Sequence, residues 1–265
     1  MYECIFCIFA CDTIPKYKNQ ILKIVDTWGK IIRQYNLKLI FFLGEEVTDL
    51  VSTHDSIEYI HLPNVKNDYM SASYKQYKGL EYIHDHYQTK YVFCCGTDTY
   101  INVHKLVNYL KRFTHTDKLY IGGDGNIRCI DKELYYHSGG PGFILSSELL
   151  KILYPIFDKA VETWIEICRR YNVTYLIPAC DASISYYIQM DGIDAIIVSE
   201  TDLSFRGCNY LGNYYSDGLC LPCHINTRYD NIISCHFMTE EDFDAYTTIL
   251  EKNNYFIIQL PNPIE

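Results

Sequence analysis

The sequence lacks three features that would place it in large classes of proteins: long apolar runs, blocks of basic residues and low-complexity segments. No apolar segment approaches the roughly 18 residues of a membrane-spanning helix, so we expect no membrane insertion. The 23 Lys and Arg residues are scattered among 33 Asp and Glu residues, which gives a net charge of −10. This balance argues against a nucleic acid or an anionic membrane surface as the main partner.

The first residues also lack the features of a secretory signal. The stretch "MYECIFCIFACDTIPKYK" has an apolar run of only about seven residues, carries Glu3, and has no basic region before the run. A buried strand that starts near Tyr2 explains this pattern better. We therefore expect a soluble protein of the cytoplasm, for example a viral or microbial protein.

Cysteine is common, with 12 copies. Five of them lie inside apolar runs, namely Cys4, Cys7, Cys94, Cys95 and Cys168. Reduced cysteine in such a run behaves as a small hydrophobic side chain. Without a secretory signal, mostly free thiols are expected.

The segment "CLPCH" at residues 220–224 has the spacing of a covalent c-type haem attachment site. With Cys208, Cys235 and His236 it could also supply a zinc site of mixed Cys and His ligands. The haem interpretation needs export and an all-helical setting, and the zinc interpretation lacks a second regularly spaced pair. A structural loop, or a disulfide under oxidising conditions, is the simpler interpretation.

Strand and helix patterns alternate along the first half of the chain. A continuous apolar run predicts a buried strand, and apolar residues three or four apart predict an amphipathic helix. Strands are predicted at 2–9, 37–44, 57–62, 90–95 and 118–123, and helices at 16–35, 69–87 and 102–112. This alternation predicts an α/β fold with a mixed, mostly parallel central sheet and helices on both faces.

After residue 123 the pattern is less regular. Residues 128–146 predict a strand, a glycine-rich turn and a second strand; helices are predicted at 147–157 and 158–171, and strands at 194–198 and 232–237. Thr239 is expected to cap a final helix, with Asp242 at its third position. No repeat or proline-rich linker divides the chain. We expect one domain over residues 1–265, with a nucleotide-binding half (about 1–123) and a more irregular half (about 124–265).

One aspartate follows the buried strand in "KYVFCCGTDTYIN" (90–102). The apolar run from Tyr91 to Cys95 breaks at Gly96, and Asp98 comes next. Open α/β sheets usually bind ligands beyond the carboxyl ends of their strands, which favours a functional role for Asp98. Aspartate also favours turns and helix caps, so a purely structural role is the alternative.

Three other stretches contain residues suited to chemistry. In "SGGPGF" (138–143), Gly139, Gly140 and Gly142 permit either a close approach of the backbone to a ligand or a tight turn. Asp181 in "PACDASIS" begins a helical pattern and is either a functional carboxylate or a helix cap. His236 in "SCHF" ends a strand and is either a metal ligand or a satisfied core histidine.

Taken in order, these stretches resemble the fringe-like β-1,3-glycosyltransferases, a family with a Rossmann-like nucleotide-binding domain of the GT-A type. The resemblance is carried by "ILKIVDTWGK" (21–30), "FFLGE" (41–45), the block from "NDYM" to "GTDTYI" (67–101), "SGGPGFILSSELL" (138–150), "PACDASISYYI" (178–188) and "SCHF" (234–237). Each motif is weak alone, but the ordered set is specific and runs from about residue 2 to residue 240.

The resemblance implies a metal-dependent, inverting glycosyltransferase that moves a sugar from a UDP-sugar to a hydroxyl of a glycan or glycoprotein. Asp98 and His236 would be the ligands of a divalent ion, Mn²⁺. Asp181 would take the proton from the acceptor hydroxyl. Gly139, Gly140 and Gly142 would lie against the donor sugar. Asp12, after the first strand, and Thr97 are further candidates for contact with the nucleotide.

The sequence departs from the family at two places. Three consecutive acids of the family appear here as Gly96, Thr97 and Asp98, and a later acidic pair appears as Cys180 and Asp181. In both cases the residue that the family uses directly is retained, so the resemblance still implies the same reaction class. Two alternatives stay open: a transferase-fold protein that binds sugar nucleotide or glycan without turnover, and an interaction module organised by zinc in the tail.

Overall fold

A computed structural model describes residues 1–46, 50–52, 54–123, 125–200, 204–216, 219–222 and 231–253, with only the backbone given for 214–216 and 219–222. The strands are β1 Tyr2–Phe9, β2 Leu37–Leu43, β3 Ile57–His61, β4 Thr89–Cys95, β5 Tyr100–Ile101, β6 Leu119–Gly122, β7 Gly125–Cys129, β8 Glu133–His137, β9 Phe143–Ser146, β10 Ile196–Ser199, β11 Phe205–Arg206, β12 Asn213–Ser216, β13 Leu219–Pro222 and β14 Ser234–Cys235. The α-helices are α1 Pro15–Asp26, α2 Ala72–His86, α3 Val103–Leu110, α4 Ser147–Leu153, α5 Ala160–Arg170, α6 Cys180–Ile188 and α7 Glu240–Lys252.

The central sheet has seven strands in the order β10-β6-β9-β4-β1-β2-β3. Every neighbouring pair is parallel except those made by β9, which runs antiparallel to both β4 and β6. This confirms the predicted α/β fold with a mixed, mostly parallel sheet.

Helices cover both faces of this sheet because the inner strands are apolar on both sides. Along β1, Cys4, Phe6 and Ile8 pack with α1, α3 and α7, whereas Ile5 and Cys7 pack with α2, α4 and α6 on the opposite face. The alternation follows from the two-residue period of a strand. The loops after β1 and β4 are thereby left at one edge of a rigid sheet.

The predicted helix 16–35 is in fact two elements. α1 ends at Asp26, and a 3₁₀ helix runs over Trp28–Gln34. The break at Thr27 turns the fully buried Trp28 onto Phe6, with ring centroids 5.3 Å apart in an edge-on arrangement. Burying the large indole outweighs continuing the helix.

Two further predictions of elements need correction. A complete hairpin, β7 and β8, precedes the glycine turn and begins at Gly125, ahead of the predicted region 128–146, so the sequence pattern missed one strand. The predicted strand 232–237 pairs only at Ser234 and Cys235, which leaves His236 just beyond its end. The cap of the last helix is confirmed: Thr239 and Asp242 form a reciprocal capping box at the start of α7.

Within the described part of the chain, no helix has the length and apolar composition needed to cross a bilayer. The ten cysteines whose side chains are described are free thiols, and all but Cys129 are buried.

Candidate active site

Asp98 stands just beyond the carboxyl end of β4, in the middle of the central sheet. The preceding strand residues, from Tyr91 to Cys95, are almost completely buried, so the position of the loop is fixed by the core. The Asp98 side chain retains 34% of its exposure. It is therefore held rigidly and is still accessible from solvent.

Strand pairing brings His236 to this carboxylate. In the antiparallel pair of β14 with β5, Cys235 lies opposite Tyr100, and one more step in this register sets His236 next to the loop of Asp98. The His236 Nε2 atom is 3.2 Å from Asp98 Oδ2. The Met238 N–H donates to the Asp98 carbonyl at 3.0 Å and holds the two loops together.

The electrostatic surroundings favour the ionised form of Asp98. Burial acts to raise the pKa of its carboxyl, but His236, with a smaller contribution from Lys16, outweighs this effect and sets the pKa below the ordinary value. Asp98 is consequently a carboxylate anion at neutral pH.

The glycine turn at residues 138–143 lies between Asp98 and α6. It is fixed from two sides, because Thr99 Oγ1 donates to the Gly140 carbonyl at 2.7 Å and Ser234 Oγ donates to the Pro141 carbonyl at 2.6 Å. Gly142 has a φ of +85°, and a Cβ there would meet the Phe93 ring at 2.3 Å. The turn thus needs glycine at 142 for both conformation and space.

Gly139 and Gly140 each make room for one candidate side chain. A Cβ on Gly139 would lie 3.1 Å from Asp181 Cβ, and a Cβ on Gly140 would lie 2.2 Å from His236 Nδ1. The two adjacent glycines therefore set Asp181 and His236 against one short piece of backbone. Asp181 and His236 occupy the space beside these glycines, whereas the sequence suggested that a ligand would lie there.

Both oxygens of Asp181 accept hydrogen bonds from the backbone. The Gly139 N–H donates to Oδ2 and the Ala182 N–H to Oδ1, each at 2.8 Å. Burial raises the pKa of this carboxyl, and these N–H groups only partly offset the effect. Asp181 is thus more basic than an ordinary aspartate and is held in one orientation, which suits a proton acceptor.

The contact between Gly140 and His236 leads to a testable prediction. In Gly140→Ala the new methyl group would overlap the imidazole, so the ring must move away from Asp98. If His236 is the metal ligand that the resemblance implies, the affinity for UDP in the presence of Mn²⁺, measured by calorimetry, should fall about 10–100-fold, the usual cost of disturbing the support of a metal ligand. Gly207→Ala is the matched control because nothing lies within 4 Å of its new Cβ. Equal affinities in the two variants would contradict the prediction.

Thr97 does not face the same space as Asp98. Its side chain is buried, and Oγ1 donates to Gln20 Oε1 of α1 at 2.7 Å. The hydroxyl therefore joins the loop after β4 to α1.

Asp12 belongs to a separate buried polar cluster at the end of β1. Asn67 Nδ2 approaches its Oδ1 at 3.5 Å, while Lys75 Nζ donates to Asn67 Oδ1 at 2.9 Å and to the Ala10 carbonyl at 2.6 Å. Burial lowers the pKa of Lys75, and Cys11 and Asp12 act in the opposite direction. This cluster places a cation and polar groups where α/β sheets usually bind nucleotides.

A cavity of about 420 Å³ opens beside Asp98. It lies between α1 and the loop that leads into α7, and its lining consists of Lys16, Gln20, Asp98, Phe237, Met238, Thr239, Glu240 and Glu241. The size is typical of a small-molecule site. Asp98 thus faces an open space lined by charged side chains together with Phe237 and Met238.

The structure does not test the zinc and haem interpretations of the tail, because Cys223, His224 and the side chain of Cys220 lie outside the described residues. Among the described residues, no group of three or more His, Cys, Asp or Glu side chains is arranged to hold a metal ion. A metal at this site would therefore have two protein ligands from the described chain, Asp98 and His236.

Sequence reasoning missed Lys16, Gln20, Asn67 and Lys75. A lysine on the buried face of α2 was a usable signal, since an unpaired lysine is seldom buried. Nothing in the local pattern distinguishes Lys16 or Gln20 from ordinary surface residues of a helix. Their positions depend on how α1 meets the loops after β4 and β14.

A sequence model of the Fringe-like family matches residues 5–175. The matched stretch includes Asp98 and the glycine turn and ends before Asp181 and His236. The family model therefore does not cover the last two residues.

Two curated relatives match part of the chain. Human chondroitin sulfate synthase 3 is 30% identical over 138 residues, which are 49% of this chain and 15% of that protein. The Mus musculus chondroitin sulfate synthase 3 is 33% identical over 105 residues, 36% of this chain and 12% of the relative. The chain thus matches only a small part of these relatives.

Among solved structures, galactosyltransferase LgtC in complex with donor and acceptor sugar analogues matches over 98% of both chains, with a TM-score of 0.51 and 10% identity. At this identity the likeness concerns the fold, which is that of the GT-A glycosyltransferases.

Proposed function

The chain belongs to the Fringe-like family of glycosyltransferases, and from this premise we propose that it transfers a hexose or N-acetylhexosamine from a UDP-sugar to an acceptor hydroxyl. We propose further that the reaction inverts the anomeric centre, forms a β-1,3 linkage and depends on Mn²⁺. The acceptor would be a glycan or glycoprotein, in keeping with the two relatives named for chondroitin sulfate synthesis.

One observation carries this proposal: a single glycine turn contacts both the candidate base and the candidate metal ligand. Gly139 donates to Asp181, and Gly140 contacts His236, which is 3.2 Å from Asp98. Inverting transfer needs a base on one side of the anomeric carbon and charge stabilisation for the leaving group on the other. The turn contacts the Asp181 carboxylate directly and the Asp98 carboxylate through His236, and this arrangement supports that division of roles.

The Asp98–His236 pair fits a divalent ion. Two neighbouring ligands of an octahedral ion, each about 2.1 Å from it, are about 3 Å apart, close to the observed 3.2 Å between Oδ2 and Nε2. Carboxylate and imidazole are also suitable donors for Mn²⁺. When bound, the ion would neutralise the charge that develops on the departing diphosphate. With two ligands from the described chain, the affinity without nucleotide is expected to be weak.

Asp181 would act as the general base. Its carboxylate accepts the proton of the acceptor hydroxyl while that oxygen attacks the anomeric carbon from the face opposite the diphosphate. The new glycosidic bond forms as the bond between the anomeric carbon and the diphosphate oxygen breaks, and UDP leaves with the bonding electrons. The raised pKa of Asp181 makes it a better proton acceptor than an ordinary aspartate.

Titrating UDP into the protein by calorimetry tests the donor site. We expect binding in the presence of Mn²⁺, and markedly weaker binding with chelator. A panel of UDP-sugars, followed by release of UDP in the presence of glycan acceptors, would then identify the donor. Absence of UDP binding under both conditions would overturn the proposal.

The loss of three family acids, at Gly96, Thr97 and Cys180, favours a second candidate function. The protein would then bind a sugar nucleotide or glycan without transferring the sugar. Metal-dependent UDP binding with no transfer to a broad set of acceptors would support this candidate, whereas turnover would exclude it.

A further inference from the structure

The cavity beside Asp98 has an unusual balance of charge for a site that takes an anion. Its walls carry three carboxylates, from Asp98, Glu240 and Glu241, and one ammonium group, from Lys16. A nucleoside diphosphate that enters this space meets net repulsion unless cations are present. Lys16 is the positive side chain of this lining, so its own interactions determine whether it is available to an anion.

Lys16 has no carboxylate partner of its own among the described residues. Its Nζ lies over the ring of the neighbouring Tyr17 at 5.8 Å from the centroid. By contrast, Lys23 on the next turns of α1 is paired with Asp244, and Glu240 accepts a hydrogen bond from Asn19 at 2.9 Å. The lysine that faces the cavity is the one left available for a ligand.

The surrounding helix end adds to this charge. Lys16 is in the first turn of α1, which has no acidic side chain and no side-chain cap at Ile14. No side chain of this turn therefore compensates the positive end of the helix dipole. Lys16 and Asp98 also line the same cavity. The ammonium group and the carboxylate thus share one aqueous space.

We propose that Lys16 binds the diphosphate of the donor nucleotide and supplies positive charge to it in addition to the charge of a bound metal ion. This inference rests on the proposed function and adds a binding residue to it. The ammonium group would bind a phosphate oxygen as a point charge. Part of the leaving-group stabilisation would then come from the chain itself, so UDP binding would persist in weakened form without metal.

The test compares three ligands, UDP, UMP and uridine, by calorimetry with wild-type protein and Lys16→Met, each with Mn²⁺ and with chelator. Methionine keeps the length of the side chain and removes its charge. Because Lys16 is exposed, the circular dichroism spectrum of the variant should match that of wild type. We expect Lys16→Met to weaken UDP binding about tenfold, consistent with loss of one hydrogen bond between charged groups. The affinity for UMP should fall less, and the affinity for uridine should not change.

Two matched variants sharpen the result. Lys16→Arg should retain most of the UDP affinity because the charge is kept. Lys30→Met should bind like wild type, since Lys30 is exposed beyond the end of α1 and has only a 3.8 Å contact with Asp26. The difference in UDP affinity between Lys16→Met and wild type should become smaller as salt is added, because salt screens exposed charges.

The outcomes separate this inference from the proposed function. Wild-type binding of UDP together with unchanged affinity in Lys16→Met would overturn the inference alone. Equal losses for UDP and uridine would also overturn it, because Lys16 would then act on the nucleoside. Wild-type protein that binds none of the three ligands would overturn the proposed function and this inference with it.

Discussion

Replacing Asp181 with asparagine is expected to lower the rate of sugar transfer by about 10²–10⁴, the usual contribution of a general base. The amide cannot take the proton of the acceptor hydroxyl, although it has nearly the same shape as the carboxylate. UDP affinity in the presence of Mn²⁺ should change little, because the proposed donor ligands are Asp98 and His236. The measurement is the steady-state release of UDP with acceptor, alongside a UDP titration.

Asp131→Asn is the matched control for this prediction. Asp131 is an exposed carboxylate that accepts a hydrogen bond from the Tyr186 hydroxyl at 2.8 Å, away from the glycine turn. Its replacement should leave transfer unchanged. If Asp181→Asn turned over at the wild-type rate while remaining folded, Asp181 would not be the base.

The pH profile offers an independent readout of the same role. Asp181 accepts a proton only when ionised, and burial raises its pKa. Activity should therefore fall on the acid side as the pH drops through this raised value, at a pH above the ordinary aspartate value of about 3.9. An acid limb at or below that value would indicate that a different group is the base.

Asp98→Asn is expected to have the second large effect, a loss of at least about a hundredfold in transfer. A bound metal typically supplies several kcal/mol of charge stabilisation, and each 1.36 kcal/mol corresponds to about a factor of ten in rate. Asparagine removes the negative charge that the ion requires and weakens the contact with His236. In calorimetry, the enhancement of UDP binding by Mn²⁺ should disappear, and the residual affinity should match that of wild type with chelator.

The chain contains a matched control for this pair. His84 and Asp85 form another His–Asp contact at 3.2 Å, exposed on α2. Asp85→Asn should leave both transfer and the effect of Mn²⁺ unchanged. Tight UDP binding by Asp98→Asn with an undiminished response to Mn²⁺ would show that the metal is held elsewhere.

The main elements of the fold could be predicted from local patterns. The apolar run before Gly96 predicted β4, and the apolar run that starts near Tyr2 predicted β1. Residues on both faces of these strands are buried. The capping box of Thr239 and Asp242 was readable because it depends on residues three apart in the sequence. Patterns of this kind fail where burial overrides them, as at Trp28, whose packing on Phe6 ends the helix early.

The candidate site is a different matter, because its geometry joins distant parts of the chain. Motif order suggested Asp98, Asp181 and His236, but only the register of β14 on β5 sets His236 beside Asp98. The sequence around Gly139 and Gly140 did not indicate which side chains would pack against them. Asp181 and His236 occupy those spaces because α6 and β14 pack against the turn from different sides.

The sequence by itself determined which residue types stand at the ends of the buried strands, since strand and helix periods are local properties of the chain. Only the tertiary structure decided which of them meet. The packing buries Lys75 next to Asn67, and it places Lys16 in the lining of the cavity that also contains Asp98. Charge has its effect through distance and burial, and both are set by the packing of α1, α2 and the loops around the sheet edge.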